Sequence, residues 1–128
     1  MREIMNNIII KRVYEEYAEN DGYRILVDRL WPRGMTKEKA HIDYWAKIIS
    51  PNTELRKTFN HDADTWDEFK IRYLIELDNN ERADEFISLI KEKLQHSNVT
   101  LLYAAKNEDI NHVIILKEWI EDIKQRKL

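Results

Sequence analysis

Two arginines, an aspartate and a tryptophan fall within seven consecutive residues, Asp28-Arg29-Leu30-Trp31-Pro32-Arg33-Gly34. They directly follow the apolar run Tyr23-Arg24-Ile25-Leu26-Val27. A strand end closes most simply on small turn residues, and fixed charge there asks for a reason. Each guanidinium is a planar fork of donors that matches the oxygens of a phosphate or a carboxylate. The chemistry expected of Arg29 and Arg33 is therefore anion binding; the alternative for either is a local ion pair with Asp28 or Glu38. Asp28 suits orienting an arginine better than abstracting a proton. Trp31 and Pro32 either wall such a site or plug the core, and Trp31 or Tyr14 could stack on a base.

A second group lies far along the chain. His112 is aligned with Leu116, Trp119 and Ile123 at helical spacing, so it should face inward near the strand ends. It is there either a hydrogen-bonded core histidine or a general acid or base. Asn111 and Lys106 share its neighbourhood, and the backbone N–H groups of a helix start offer an anion site of their own. His61, in Phe59-Asn60-His61-Asp62, lies between two helices, as a loop-borne acid or base or as an exposed capping residue. The spacing of His61, Asp62 and Asp64 matches neither a helical His-x-x-x-His pair nor a calcium loop, so no metal is expected. His41 and His96 carry no further signal.

Composition removes several classes. The 128 residues contain no cysteine, which excludes disulfides, thiolate metal sites and a cysteine nucleophile. With Gly22 and Gly34 as the two glycines, neither a P-loop nor a dinucleotide fingerprint can be built. No Gly-x-Ser-x-Gly elbow occurs. Twenty-one Lys and Arg against 24 Asp and Glu leave a net charge of −3, which argues against wholesale nucleic-acid binding but not against a local basic cleft. No signal peptide and no membrane-length apolar run are read, so a cytoplasmic protein is expected.

These residues must be positioned by elements. Residues 8–14 read as a first strand, Asn20-Asp21-Gly22 as a turn, and residues 23–29 as a second strand apolar on both faces. Residues 36–40 suit a short helix, and residues 42–49 are ambiguous between strand and helix. Ser50-Pro51 reads as a hydroxyl cap followed by proline at the first helical position, opening a helix with Leu55, Arg56 and Phe59. Asp64 is expected to cap a longer helix bearing Trp66, Phe69, Tyr73, Leu74 and Leu77, broken at Asn79-Asn80. A further helix carries Ala83, Phe86, Ile87, Ile90 and Leu94. Residues 99–105 form the clearest strand, apolar on both faces and central. Residues 107–109 should start a terminal helix with acids in its first turn, and the basic run from Lys124 to Lys127 reads as its solvated end. This alternation implies one α/β domain over residues 1–128, a mostly parallel sheet flanked by helices. Ligands bind beyond the carboxyl ends of strands in such sheets, which would bring the charged run after Val27 and the polar run after Ala105 to one rim.

The string from Gly22 to Gly34, with its Asp-Arg-Leu-Trp-Pro-Arg-Gly signature, closely resembles the YeaO-like bacterial proteins of domain of unknown function family 488. So do Asp43-Tyr44-Trp45-Ala46-Lys47, Ser50-Pro51, Leu55-Arg56, Phe59-Asn60-His61, Leu101-Leu102-Tyr103-Ala104-Ala105-Lys106 and Asn111-His112. The resemblance spans nearly the whole chain and brings no established activity. Some members carry transcriptional-regulator labels, but no helix-turn-helix or basic recognition helix is read here. The resemblance implies parallel first and second strands, whereas Asp21-Gly22 alone would favour a hairpin, and residues 15–22 are short for a parallel crossover. Wider members show Asp-Val-Arg near the second strand end and Cys-His-Arg before the last helix. Asp28 and Arg29 correspond to the first, Asn111 and His112 to the Cys-His pair, and Val113 replaces the arginine. A nucleophilic thiol therefore does not transfer.

The expectation is a protein that holds a small phosphate- or carboxylate-bearing ligand in a strand-end cleft, with hydrolysis or group transfer as the reaction class. Arg29 and Arg33 would grip the anion, helped by Lys106. His112 or His61 would be the acid or base, Asp28 the orienting carboxylate, and no cofactor is implied. A non-catalytic nucleotide or nucleic-acid binder is the second reading. The third is an interaction module in which Arg29 and Arg33 are consumed by Asp28, Glu38 or Asp43.

Overall fold

The computed structural model describes residues 6–58, 63–107 and 110–126. Its centre is a four-stranded sheet ordered β1-β4-β2-β3, with every pairing parallel: β1 is Ile8–Arg12, β2 Tyr23–Leu26, β3 Tyr44–Trp45 and β4 Val99–Tyr103. β4 is buried along its whole length and paired on both edges, as its continuous apolar run requires. The register sets Arg12 opposite Tyr103 and Leu26 opposite Leu102, so the carboxyl ends of β1, β4 and β2 reach one rim. The helices are α1 (Lys37–Ala40), α2 (Thr53–Thr58), α3 (Ala63–Asp78), α4 (Ala83–Leu94) and α5 (His112–Arg126).

Side chains alternate across the sheet. Ile8, Ile25, Val27, Val99, Leu101 and Tyr103 join the larger core with Leu55 of α2, Phe69 and Tyr73 of α3, Ile90 of α4 and Leu116 of α5. Leu26 and Leu102 face the other way, into a smaller core with Val13, Ala40 and Ile42. The longer helices therefore pack on one face, and the other is covered by residues 13–22 and the segment around α1. β4 is followed by α5 on the thick face, while its neighbours β1 and β2 lead into segments on the thin face. The crevice beyond β4 is thus a topological switch point, where such sheets leave room for a ligand.

The link from β1 to β2 is neither a hairpin nor a helical crossover. The two strands are not neighbours: β4 inserts between them, and the link crosses the thin face with only a 3₁₀ turn, Glu19–Asp21. Buried charge holds it down. Arg24, 1% exposed, donates to Asp21 Oδ2, to the His41 carbonyl at 3.1 Å and to the Ala40 carbonyl at 2.9 Å. Lys11 Nζ reaches Asp21 Oδ2 at 3.1 Å, and Thr100 Oγ1 donates to the Asp21 carbonyl at 2.7 Å. Gly22 closes the link at φ +70°, where a Cβ would sit 2.0 Å from the Asn98 carbonyl oxygen. Only glycine fits there.

Several local expectations shift. Residues 42–49 resolve into the two-residue β3 and a 3₁₀ turn, Lys47–Ile49. Ser50 does not cap α2, because its hydroxyl donates to the Lys47 carbonyl at 2.7 Å and closes that turn. The cap is Asn52, whose Oδ1 accepts from Leu55 N at 2.8 Å. Asp64 lies within the first turn of α3 rather than before it. α5 starts at His112 with no acid in its first turn. His61, Asp62, Glu108 and Asp109 lie outside the described residues. No helix among the described residues is long and apolar enough to cross a membrane.

Candidate functional site

A cavity of about 530 Å³ opens at this switch point, lined by residues 28–33 after β2, Ser50, Pro51 and Arg56 around the start of α2, residues 104–106 after β4, Asn111 and His112 at the start of α5, Phe69 of α3, and Tyr14 after β1. The arginines near residue 30 and the histidine at 112 thus border one hollow, brought together by the shared direction of the strands. Among the described residues the lining carries four fixed positive charges, Arg29, Arg33, Arg56 and Lys106, against the one carboxylate of Asp28. No ion pair within 4.0 Å engages any of these four among the described residues.

Hydrogen bonds fix the walls. Half-buried Arg29 donates Nε to the Pro51 carbonyl at 3.1 Å and Nη2 to the Ser50 carbonyl at 3.4 Å, tying the run after β2 to the corner before α2. Trp31 Nε1 donates to the Met35 carbonyl at 2.7 Å, and its ring meets Trp45 edge-on at 5.3 Å, so it walls the cleft instead of plugging the core. Pro32 beside it is buried. Tyr14 Oη donates to the Arg33 carbonyl at 3.0 Å. The Arg12 guanidinium lies 5.3 Å from the Tyr14 ring centroid and bonds the carbonyls of Ala105 at 2.9 Å and Ala104 at 3.2 Å. Arg12 thereby ties the end of β1 to the end of β4 and braces the tyrosine that holds Arg33.

Asp28 and His112 form the inner pair. Asp28 Oδ2 accepts from Ala104 N at 2.9 Å, and Oδ1 lies 3.5 Å from His112 Nε2. The same Nε2 lies 2.9 Å from the Val27 carbonyl. A carbonyl can only accept, so Nε2 carries the proton and the ring bridges α5 to the end of β2. Tyr73 packs edge-on against the imidazole at 6.0 Å. Burial raises the Asp28 carboxyl above its ordinary range, and the opposing pull of His112, the Ala104 amide and Arg56 does not cancel it.

Asn111 turns out to be a helix cap: its Oδ1 accepts from Val113 N at 3.0 Å and Ile114 N at 3.3 Å. Those two amides are engaged by the chain itself, which weakens the expected backbone anion site. Lys106 is exposed at the cleft. Sequence reasoning missed Arg56 and Arg12. Arg56 stands on the solvent side of a short helix, and its only sequence signal is its place in the Leu55-Arg56 string. Arg12 reads as an ordinary strand-end cation. Among the described residues no cluster of three or more His, Asp or Glu could hold a metal.

A family model described as the inactive DUF488-N3 subclade matches residues 7–128. The uncharacterised protein YeaO of Escherichia coli strain K12 is 44% identical over 117 residues, which cover 91% of this chain and 99% of that protein. Uncharacterised proteins of Mycobacterium tuberculosis strain H37Rv and Mycobacterium bovis are each 33% identical over 109 residues, covering 85% of this chain and 89% of theirs. No solved structure matches.

Proposed function

We propose a binding function, from the premise that the chain belongs to the inactive DUF488-N3 subclade: it holds a small phosphate- or carboxylate-bearing ligand in the strand-end cleft and does not turn it over. The observation that carries this reading is the charge of the lining. Among the described residues four cationic side chains face one carboxylate in a protein of net charge −3, and none of the four makes an ion pair within 4.0 Å. Cations left unpaired around a concave site favour an oxyanion, and guanidinium forks favour one with two or more oxygens to offer. Arg33 and Arg56, exposed in the cleft, would grip the anion. Arg29 would add charge while holding the residue 50–51 corner, and Lys106 would contribute as a point charge.

Hydrolysis and group transfer lose their support. The family description is inactive, and position 111, where wider family members carry a thiol, is an asparagine occupied with capping α5. The interaction-module reading required Arg29 and Arg33 to be consumed by Asp28, Glu38 or Asp43, and no such pair occurs. The test is thermal melting with inorganic phosphate and ribose 5-phosphate. A ligand at about 100 times its Kd stabilises by about 2.7 kcal/mol. That stabilisation should vanish in Arg33→Ala and Arg56→Ala. Stabilisation that survives both substitutions would remove the cleft from the account.

A further inference from the structure

We infer that the ligand is a phosphate ester carrying a planar ring, the chemistry of a nucleoside monophosphate. This rests on the anion-binding reading and supplies the other half of the molecule. Three of the seven large apolar side chains exposed among the described residues, Tyr14 (43%), Leu30 (64%) and Trp31 (37%), line this one cleft, from two separate segments of chain. Scattered exposed apolar residues need no explanation, but three around one cavity do.

Two of the three are also rigid. Trp31 is held by its hydrogen bond to Met35 and its contact with Trp45; Tyr14 is held by the Arg33 carbonyl and the Arg12 guanidinium. Aromatic rings fixed before the ligand arrives lose little entropy on binding, which makes them efficient anchors. Beside them stand Arg33 and Arg56. A cavity of about 530 Å³ falls within the roughly 300–1,000 Å³ of small-molecule sites. It suits one ring and one phosphate rather than a strand.

The experiment is calorimetric titration of the full chain with adenosine 5′-monophosphate, ribose 5-phosphate, adenosine and a 5′-phosphorylated tetranucleotide. Stacking on an aromatic side chain should make the monophosphate bind roughly 5- to 150-fold tighter than ribose 5-phosphate. In Trp31→Leu that excess should fall while ribose 5-phosphate affinity holds. A variant that failed to fold would lose both, so Trp31→Phe, which keeps a ring at that position and should retain most of the excess, provides the second reading of the same ratio. Equal affinity for the monophosphate and ribose 5-phosphate would overturn this inference and leave the anion site standing. Binding of neither would overturn both. A tetranucleotide bound more than roughly tenfold tighter than the monophosphate would replace the single-nucleotide ligand with a strand.

Discussion

Asp21 and Asp28 flank β2 at its two ends, and burial pushes the carboxyl of each upward. In Asp28 burial wins. In Asp21 the Ala18 amide, Lys11 and Arg24 outweigh it and hold the group below its ordinary value of 3.8. The two therefore respond oppositely to acid. Asp28, with its folded pKa raised, makes the protein gain stability as pH falls from above that pKa towards 3.8. Asp21, with its folded pKa depressed, contributes stability above 3.8 that is lost as pH falls through the folded value. Comparing melting against pH in wild type and Asp28→Asn should show the first limb disappear, with tighter phosphate binding at neutral pH because a negative charge has left the cleft. Asp21→Asn should cost about 3–5 kcal/mol in denaturant unfolding, since it strands a buried guanidinium. At this scale the sequence was most readable after β2, where the charged run does border the cleft, although Arg29 also holds the residue 50–51 corner in place. Arg56 was unreadable, because nothing within α2 distinguishes a cation facing solvent from one facing a cleft built by other segments.

Short elements carry the site, and their ends decide its shape. Asn111 caps α5 and sets His112 against Val27, so Asn111→Ala should cost about 1 kcal/mol and weaken phosphate binding as the imidazole shifts. The two glycines separate backbone strain from steric exclusion. Gly34 sits at φ +78° with nothing within 4 Å of a built Cβ, so Gly34→Ala should cost only the ~1–2 kcal/mol of a left-handed backbone. Gly22→Ala meets the Asn98 carbonyl as well and should cost well beyond that, measured by the same unfolding curves. β4 and the spacing of α3 and α4 were legible because a continuous apolar run and a 3.6-residue stripe are local signals. The start of α2 was misread at Ser50-Pro51 because the serine hydroxyl had a nearer partner in the preceding 3₁₀ turn. That competition depends on how the chain folds back, and the sequence does not display it.

Across the whole molecule, the placement of β4 between β1 and β2 creates the cleft. Residues 15–22 favour a hairpin by turn chemistry, whereas the resemblance implies parallel first and second strands, which the sheet has. The outcome, two strands parallel to a third that arrives some 75 residues later, is a long-range pairing that no local pattern encodes. The same topology concentrates positive charge at one rim of a protein whose net charge is −3. Field lines focused in a concave site strengthen anion capture, and ions screen charges at the ~8 Å Debye length of physiological salt. Phosphate affinity should accordingly weaken between low and physiological ionic strength, and less steeply in Lys106→Ala, which removes one point charge and leaves the guanidinium grip. The most direct measurement is the set of backbone amide NMR shifts during titration with ribose 5-phosphate. Perturbations should cluster at residues 28–33, 50–56, 104–106 and 111–112. A titration that moved no amide, or moved only those on the outer faces of α3 and α4, would contradict the cleft as the binding site.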